Sequence, residues 1–445
     1  MTADRRRTAP ADRSGQPGRS GARRGPLVGG DGPTRTLDVD ALLDDRSRSI
    51  IVCCGSGGVG KTTTSAALAL RAAERGRKVV VLTIDPARRL AQSMGIEELD
   101  NTPRPVPGVV STGSTDEGGS TDGAGSAGGG SLDAMMLDMK RTFDEVVQSQ
   151  ASPEKAAQIL ANPFYVAVSS SFAGTQEYMA MEKLGQLDAE ARRTGRHDLI
   201  VVDTPPSRSA LDFLDAPERL SSFLDGKFMR LLLAPARGPA RLMTAGFGVV
   251  TSAITRIIGA QVLQDVRAFV AAFDTLFGGF RQRAQRTYQL LQDDRTAFLV
   301  VAAPEPDALR EAAYFVERLG AERMPLAGLV VNRASSRPGG DLSAHAAMAA
   351  VERLDALGDP GSPEAAEDAE DAGTASTSAR RTASALLRLH ADTEVVVERE
   401  QRLVQRFAHA HPEVPVAVVP ALSTDVHDLE GLRHVGELLA RRTTS

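Results

Sequence analysis

The sequence predicts an α/β protein built on a doubly wound, mainly parallel sheet. Three observations carry that prediction: short, wholly apolar runs at wide spacing, a helical stretch joining the first run to the second, and a Gly-rich turn between the first run and that helix.

Residues 49–54, Ser-Ile-Ile-Val-Cys-Cys, read as a buried strand that enters the Gly-rich turn, so order is expected to begin near Ser49. A helix from Thr62 to about Glu74 follows and is closed by Arg75 and Gly76. Lys78 to Ile84 is the next strand, which completes a βαβ unit and implies parallel pairing. Leu199 to Val202, Thr296 to Val301, Leu326 to Val331 and Val414 to Val419 are further short apolar runs of the kind buried on both faces. Leu132 to Leu137 is a weaker strand candidate, with helix as its rival because Met and Leu favour helices.

Three regions depart from this pattern. Residues 1–45 form a tail, basic and rich in Arg, Gly, Pro and Ser as far as about Arg35, with no apolar core for a signal or anchor; disorder is expected there. Residues 46–445 form one domain, carrying low-complexity insertions at 102–131 and 335–382 that are expected to be disordered. Between about 205 and 295 the chain turns helical and apolar. Its stretch from Leu242 to Leu263 is interrupted by Arg256, and a mid-span Arg costs about 2.5–3.5 kcal/mol on insertion scales, so a helical subdomain is expected and no transmembrane segment.

A formal net charge of -5 over 445 residues offers no global basic field, and nucleic acid is not an expected partner. Cys53 and Cys54 are the only cysteines; adjacent residues in an apolar run supply neither a zinc clamp nor a disulfide framework, and a cytoplasmic location follows as the simplest reading.

Gly55-Ser56-Gly57-Gly58-Val59-Gly60-Lys61-Thr62 fits G-x-x-x-x-G-K-[ST] between a strand and a helix start, which marks a phosphate-binding loop. In such a loop, glycines let backbone N–H groups turn inward around a β-phosphate. Lys61 is placed to neutralise β/γ oxygens and Thr62 to ligate Mg²⁺; with Thr63 the run makes the expected contact surface for ATP. Asp85, at the carboxyl end of the second strand in Thr-Ile-Asp-Pro-Ala-Arg-Arg, is placed to orient or deprotonate water, or else to start a turn or cap a helix. Asp203 ends the strand Leu199 to Val202 as a Walker B carboxylate would, holding Mg²⁺ directly or through water, with a plain strand-end cap as its rival. Pro205 and Pro206 then force the chain out of the sheet. Asn332 and Pro420, each at a strand end, could read or wall an adenine or simply terminate their strands.

The loop at 55–62, Asp85-Pro86-Ala87, Asp203-Thr204-Pro205-Pro206 and Asn332, in that order, resemble the ArsA family, which includes the arsenite-pump ATPase and the ATPase that delivers tail-anchored membrane proteins. The likeness spans most of residues 49–440 apart from the two insertions. It implies a dimeric P-loop NTPase of the deviant Walker A class, in which Asp85 and Lys61 serve catalysis, Asp203 stands on the magnesium side and Asn332 touches adenine. In the tail-anchor branch the helical subdomains of two subunits form a hydrophobic groove, and 211–291 is the corresponding part of this chain. The family's loop usually carries a lysine where this chain has Ser56, and that lysine reaches the neighbouring subunit's phosphates. A trans-acting cation of this kind is worth about 10³–10⁵ in rate. A slow homodimer, or a heterodimer with a related subunit that keeps the lysine, is therefore expected. The family's zinc-clip and arsenite-binding cysteines are absent.

Three functions remain open on the sequence. The first is an ATPase whose conformational switch handles a protein client or partner, and the second a low-turnover, nucleotide-dependent scaffold. The third is a MinD- or ParA-like positioning ATPase, against which stands the lack of an amphipathic anchor after Leu438.

Overall fold

A computed structural model describes residues 35–84, 89–96, 98–109, 129–163, 165–166, 175–205, 282–356 and 370–441, all within the unit Thr34–Ser445. Asp85 to Arg88, most of the 102–131 insertion and residues 206–281 of the expected helical subdomain lie outside the described residues.

Eight strands form one sheet: β1 (Ile50–Gly55), β2 (Lys78–Thr83), β3 (Arg104–Pro105), β4 (Ser131–Met136), β5 (Leu199–Asp203), β6 (Thr296–Ala302), β7 (Leu326–Ala334) and β8 (Val416–Pro420). Their order is β3-β4-β2-β5-β1-β6-β7-β8, and every pair is parallel except β3 with β4. The sheet is therefore mixed, with one short antiparallel edge. β1, β5 and β6 are buried along their whole length, which explains why they appear in the sequence as unbroken apolar runs rather than alternating ones.

The described helices are α1 (Val39–Asp44), α2 (Lys61–Glu74), α3 (Arg89–Ser93), α4 (Met139–Gln150), α5 (Pro153–Leu160), α6 (Thr175–Thr194), α7 (residues 282–292), α8 (Pro306–Ala321), α9 (Ala344–Ala356), α10 (Glu370–Ala410) and α11 (Leu429–Ala440). From β1 the chain crosses through α2 to β2 on one side of the sheet, whereas β6 crosses through α8 to β7 on the other. Right-handed crossovers in opposite directions put α2 and α8 on opposite faces. The strand order thus reverses at β1, and in open α/β sheets ligands gather at the carboxyl ends of the strands beside such a reversal. The Gly-rich turn is the segment that leaves β1 there.

Two expectations are corrected. Order begins before Ser49 and inside the 1–45 tail: Thr36 bridges Val416 of β8, and Leu37, Val39 and Leu43 are buried. Within 335–382, expected to be disordered, residues 344–356 are α9 and 370–382 open α10. Composition alone missed that alanine is the strongest helix former and that two Ala-rich helices can cover each other. Ala347 and Val351 of α9 and Ala391 of α10 are buried, and Asp355 accepts from Ser384 Oγ at 3.1 Å and from Arg388 at 2.7 Å. The ambiguous run at 132–137 resolves as strand β4, paired in parallel with β2 from Lys78↔Ser131 to Thr83↔Met136.

The amino ends of β1, β2 and β5 are held by one buried side chain. Arg77, 1% exposed, donates from Nε to Asp198 Oδ1 at 2.9 Å, from Nη1 to Leu43 O and Asp45 O, and from Nη2 to Arg48 O and Asp198 O. Its five bonds join α1, the lead into β1 and the lead into β5, on the side of the sheet away from the Gly-rich turn.

Candidate functional site

β1 delivers the chain into the loop 55–60, and α2 starts at Lys61. Two glycines are required there by geometry. Gly55 has φ 151°, and a Cβ on it would lie 2.0 Å from the Val301 carbonyl oxygen of β6, a backbone atom that cannot move aside. Gly60 has φ 91°, and a Cβ there would lie 2.2 Å from Asn332 Nδ2. Gly60→Ala is expected to lower stability by about 2–4 kcal/mol through left-handed strain and overpacking, read as a shift in a denaturant unfolding curve.

As N-cap of α2, Gly60 is left-handed and makes no side-chain capping bond. The first-turn N–H groups of α2 therefore have no side-chain cap, and the helix dipole adds partial positive charge at the same place. A helix start of this kind suits an anion. Lys61 is 6% exposed, and its Nζ donates to Ser56 O at 2.8 Å, which curls the side chain back over the loop. Ser56 is half-buried, and its hydroxyl has no hydrogen-bond partner among the described residues.

Asp203 ends β5 between two strands, in register with Cys53 of β1 and Thr83 of β2. Its Oδ2 accepts from Thr62 Oγ1 at 2.7 Å and from Thr83 Oγ1 at 2.9 Å, and the residue is fully buried. Thr204 Oγ1 donates to Cys53 O at 2.9 Å and fixes the chain as it leaves β5. The expected pair Thr62 and Asp203 are thus in direct contact although 141 residues apart. Thr83 joins them unannounced by the sequence, where it was only the tail of a strand.

Asn332, near the end of β7, donates from Nδ2 to Val59 O at 2.9 Å, and Arg333 donates from Nη1 to Gly58 O at 2.9 Å. Asn332 is thereby brought onto the loop itself. Arg333 was not anticipated; no spacing rule marks an Arg after a strand-end Asn. Pro420 lies at the same end of the sheet, paired with Ala334 of β7, and among the described residues no hydrogen bond joins it to the loop. Thr63 is half-buried in the first turn of α2, and Asp85 lies outside the described residues.

Beneath the loop, burial pushes the Cys53 thiol up to about 12 and raises that of Cys54 further. Both therefore stay protonated at neutral pH, and a protonated buried thiol is a poor metal ligand and nucleophile. In the folded protein both should resist alkylation at neutral pH and react once denatured, which mass analysis after alkylation reads directly. No group of three or more metal-ligating side chains occurs among the described residues.

The sequence profile of the anion-transporting ATPase (ArsA ATPase) family matches residues 48–338. The chain belongs to the ArsA ATPase family. Similar proteins include the ATPase ARSA1 of Chlamydomonas reinhardtii, 27% identical over 316 residues that cover 68% of this chain and 37% of that protein. ATPase GET3 of Malassezia globosa is 25% identical over 307 residues, 68% of this chain and 78% of its own length. The ATPase ASNA1 homolog of Cryptosporidium parvum is 25% identical over 308 residues, 67% and 71% of the two chains. The chain thus matches little more than a third of the length of the first of these relatives and between two thirds and four fifths of the other two. The matched region runs from the lead into β1 to just beyond β7, so the loop, Asp203 and Asn332 lie inside the ArsA match, whereas α9 and α10 lie outside it.

The site fits the nucleotide that an ArsA ATPase implies. An uncapped helix start, a buried lysine on the loop and a threonine hydroxyl touching a buried carboxylate are the donor types that phosphate and Mg²⁺ require. Towards the undescribed 206–281 region, Arg283 of α7 donates Nε to both carboxylate oxygens of Glu182 in α6, at 2.9 and 3.0 Å. This ion pair ties the helix that follows that region to the one that leads into β5.

Proposed function

We propose that this chain binds Mg²⁺-ATP at the loop 55–62 and hydrolyses it to switch the conformation of a dimer that handles a protein client or partner. The observation that carries the reading is the contact of Thr62 and Thr83 with Asp203 at the carboxyl edge of the sheet, next to the uncapped start of α2. Bound Mg²⁺-ATP would supply a γ-phosphoryl group for transfer to water. The loop amides and Lys61 would hold the phosphate oxygens, and Thr62 with Asp203 would hold the metal, Asp203 directly or through water. Asp85 would orient the attacking water and take up its proton. Asn332 and Pro420 would border the base.

Asp203 couples this site to the rest of the chain. Thr204 is anchored to Cys53 O, and immediately beyond it Pro205 and Pro206 lead into the apolar region 211–291, so a displacement of Asp203 would be passed to that region. We assign to this region the client or dimer surface, and to the protein a cytoplasmic location. Among the described residues no helix is long and apolar enough to cross a membrane.

The loop contains one lysine, because position 56 is serine. We therefore place the chain in a heterodimer with a related subunit that carries a lysine there. Native co-purification with mass analysis tests this: recovery of the related subunit supports it, and a fully active lone homodimer contradicts it. The same serine favours a second reading, a nucleotide-dependent scaffold of low turnover. Asp85→Asn separates the two. The switch reading expects turnover to fall by about 10²–10⁴-fold with ATP binding retained, whereas a scaffold would lose nothing.

A further inference from the structure

β7 departs from regular strand geometry near its end. Its register against β8 shifts between Val331 and Ala334, and within that irregularity Arg333 takes φ 61°, a left-handed conformation that few non-glycine residues adopt. Bulges re-aim side chains, and backbone strain of this kind gathers at functional sites. Here the bulge sends two consecutive side chains onto two consecutive carbonyls of the phosphate loop. Asn332 Nδ2 donates to Val59 O and Arg333 Nη1 to Gly58 O, both at 2.9 Å.

Each of those carbonyls shares a peptide unit with an N–H group of the loop. The Gly58 carbonyl belongs to the same amide as the Val59 N–H, and the Val59 carbonyl to the same amide as the Gly60 N–H. A donor placed on an amide oxygen polarises the whole unit and makes its N–H a stronger donor. A charged donor does so more strongly than a neutral one, and a guanidinium stays charged at any relevant pH. Lys61 is the only charged side chain within 55–62 and is buried, so Arg333, exposed beside the loop, brings a second positive charge to it from the carbonyl side.

We propose that Arg333 is a positioning residue of the nucleotide site: with Asn332 it locks the Gly58-Val59-Gly60 backbone and polarises the loop amides toward the phosphates. The proposal rests on the nucleotide-binding reading given above. It predicts an effect that grows with ligand charge, which a bracing role alone would not produce.

The test uses the full chain, with ¹⁵N-labelled Val and Gly, and titrates wild type, Arg333→Gln, Arg333→Gly and Arg333→Lys with Mg²⁺-ATP, Mg²⁺-ADP and adenosine. Arg333→Gln keeps a neutral donor, and Arg333→Gly removes the side chain while relieving the left-handed strain, so that a folded variant is at hand. Losing the charge from this bond is expected to weaken ATP about 10-fold, ADP less and adenosine not measurably. The Val59 amide resonance should shift in both neutral variants and return toward the wild-type position in Arg333→Lys. Unchanged ATP affinity, equal losses for ATP and adenosine, or an unmoved Val59 amide would each overturn the proposal. If wild type itself takes up no Mg²⁺-ATP, the nucleotide-binding reading fails and carries this proposal with it; if wild type binds and the neutral variants match it, this proposal alone fails.

Discussion

Lys61→Ala should weaken Mg²⁺-ATP binding about 100-fold while leaving the fold intact. Lys61 is 6% exposed and its ammonium donates to Ser56 O, so the side chain curls over the loop rather than into solvent, where its pull on a phosphate oxygen is less screened. Apart from the Thr62 hydroxyl on the metal side, the loop's other contributions come from backbone, because its remaining residues are glycine, valine and serine. Those N–H groups survive the substitution, as does the contact of Thr62 with Asp203. A residual weak site that still prefers magnesium is therefore expected, not total loss. Calorimetric titration of the variant and the parent checks the affinity, and a thermal melt separates a binding defect from unfolding. A loss smaller than about threefold would mean that the charge does not face the ligand, since a hydrogen bond to a charged group contributes about 1.5–3 kcal/mol.

Arg77→Ala should destabilise the chain by about 3–5 kcal/mol, because one buried guanidinium and the several hydrogen bonds it donates are lost together. Deleting this side chain removes the donors for four backbone carbonyls and one Asp198 oxygen at once. The carboxylate of Asp198 is partly exposed and keeps Arg46 at 2.9 Å, so its own share of the loss is screened. Most of the effect falls on the buried Leu43 O and the part-buried Arg48 O and Asp198 O, which lose their side-chain donor, while Asp45 O keeps the Arg48 N–H at 3.0 Å. A denaturant midpoint shift with unchanged slope measures it. Because the staple lies at the amino ends of the strands, the folded fraction of Arg77→Ala should bind nucleotide with parental affinity.

The sheet could be foreseen because strands buried on both faces leave unbroken apolar runs in the sequence; Ile50 to Cys54 and Leu199 to Val202 are such runs, and they pair side by side. β4 was ambiguous for a physical reason: Leu132-Asp133-Ala134-Met135-Met136 mixes helix formers with an internal carboxylate. That carboxylate is accommodated by Arg196 and His197, each at 2.8 Å and each far away in the sequence. The short antiparallel β3 has too few residues to show any periodicity. α1 and the start of α10 were hidden by polar, low-complexity neighbours; α1 is held in place by burial of Val39 and Leu43.

The proposed phosphate loop could be picked out because its glycines and lysine stand at fixed intervals, and Asp203 because a strand-end carboxylate shortly before two prolines is unusual. Thr83 and Arg333 were not legible. Thr83 becomes part of the site only through the register of β2 against β5, and Arg333 only through a bulge that no local residue pattern announces. The roles of Asp85 and of the region 211–291 rest on the sequence and on the family likeness.

Equilibrium dialysis of the unmodified chain against labelled ATP with magnesium tests whether the turn between β1 and α2 seats a nucleotide. Saturable uptake approaching one nucleotide per chain, reduced when magnesium is chelated and competed by ADP, is the predicted result. Folded protein that retains no nucleotide above the free concentration, even at millimolar ATP, would contradict it.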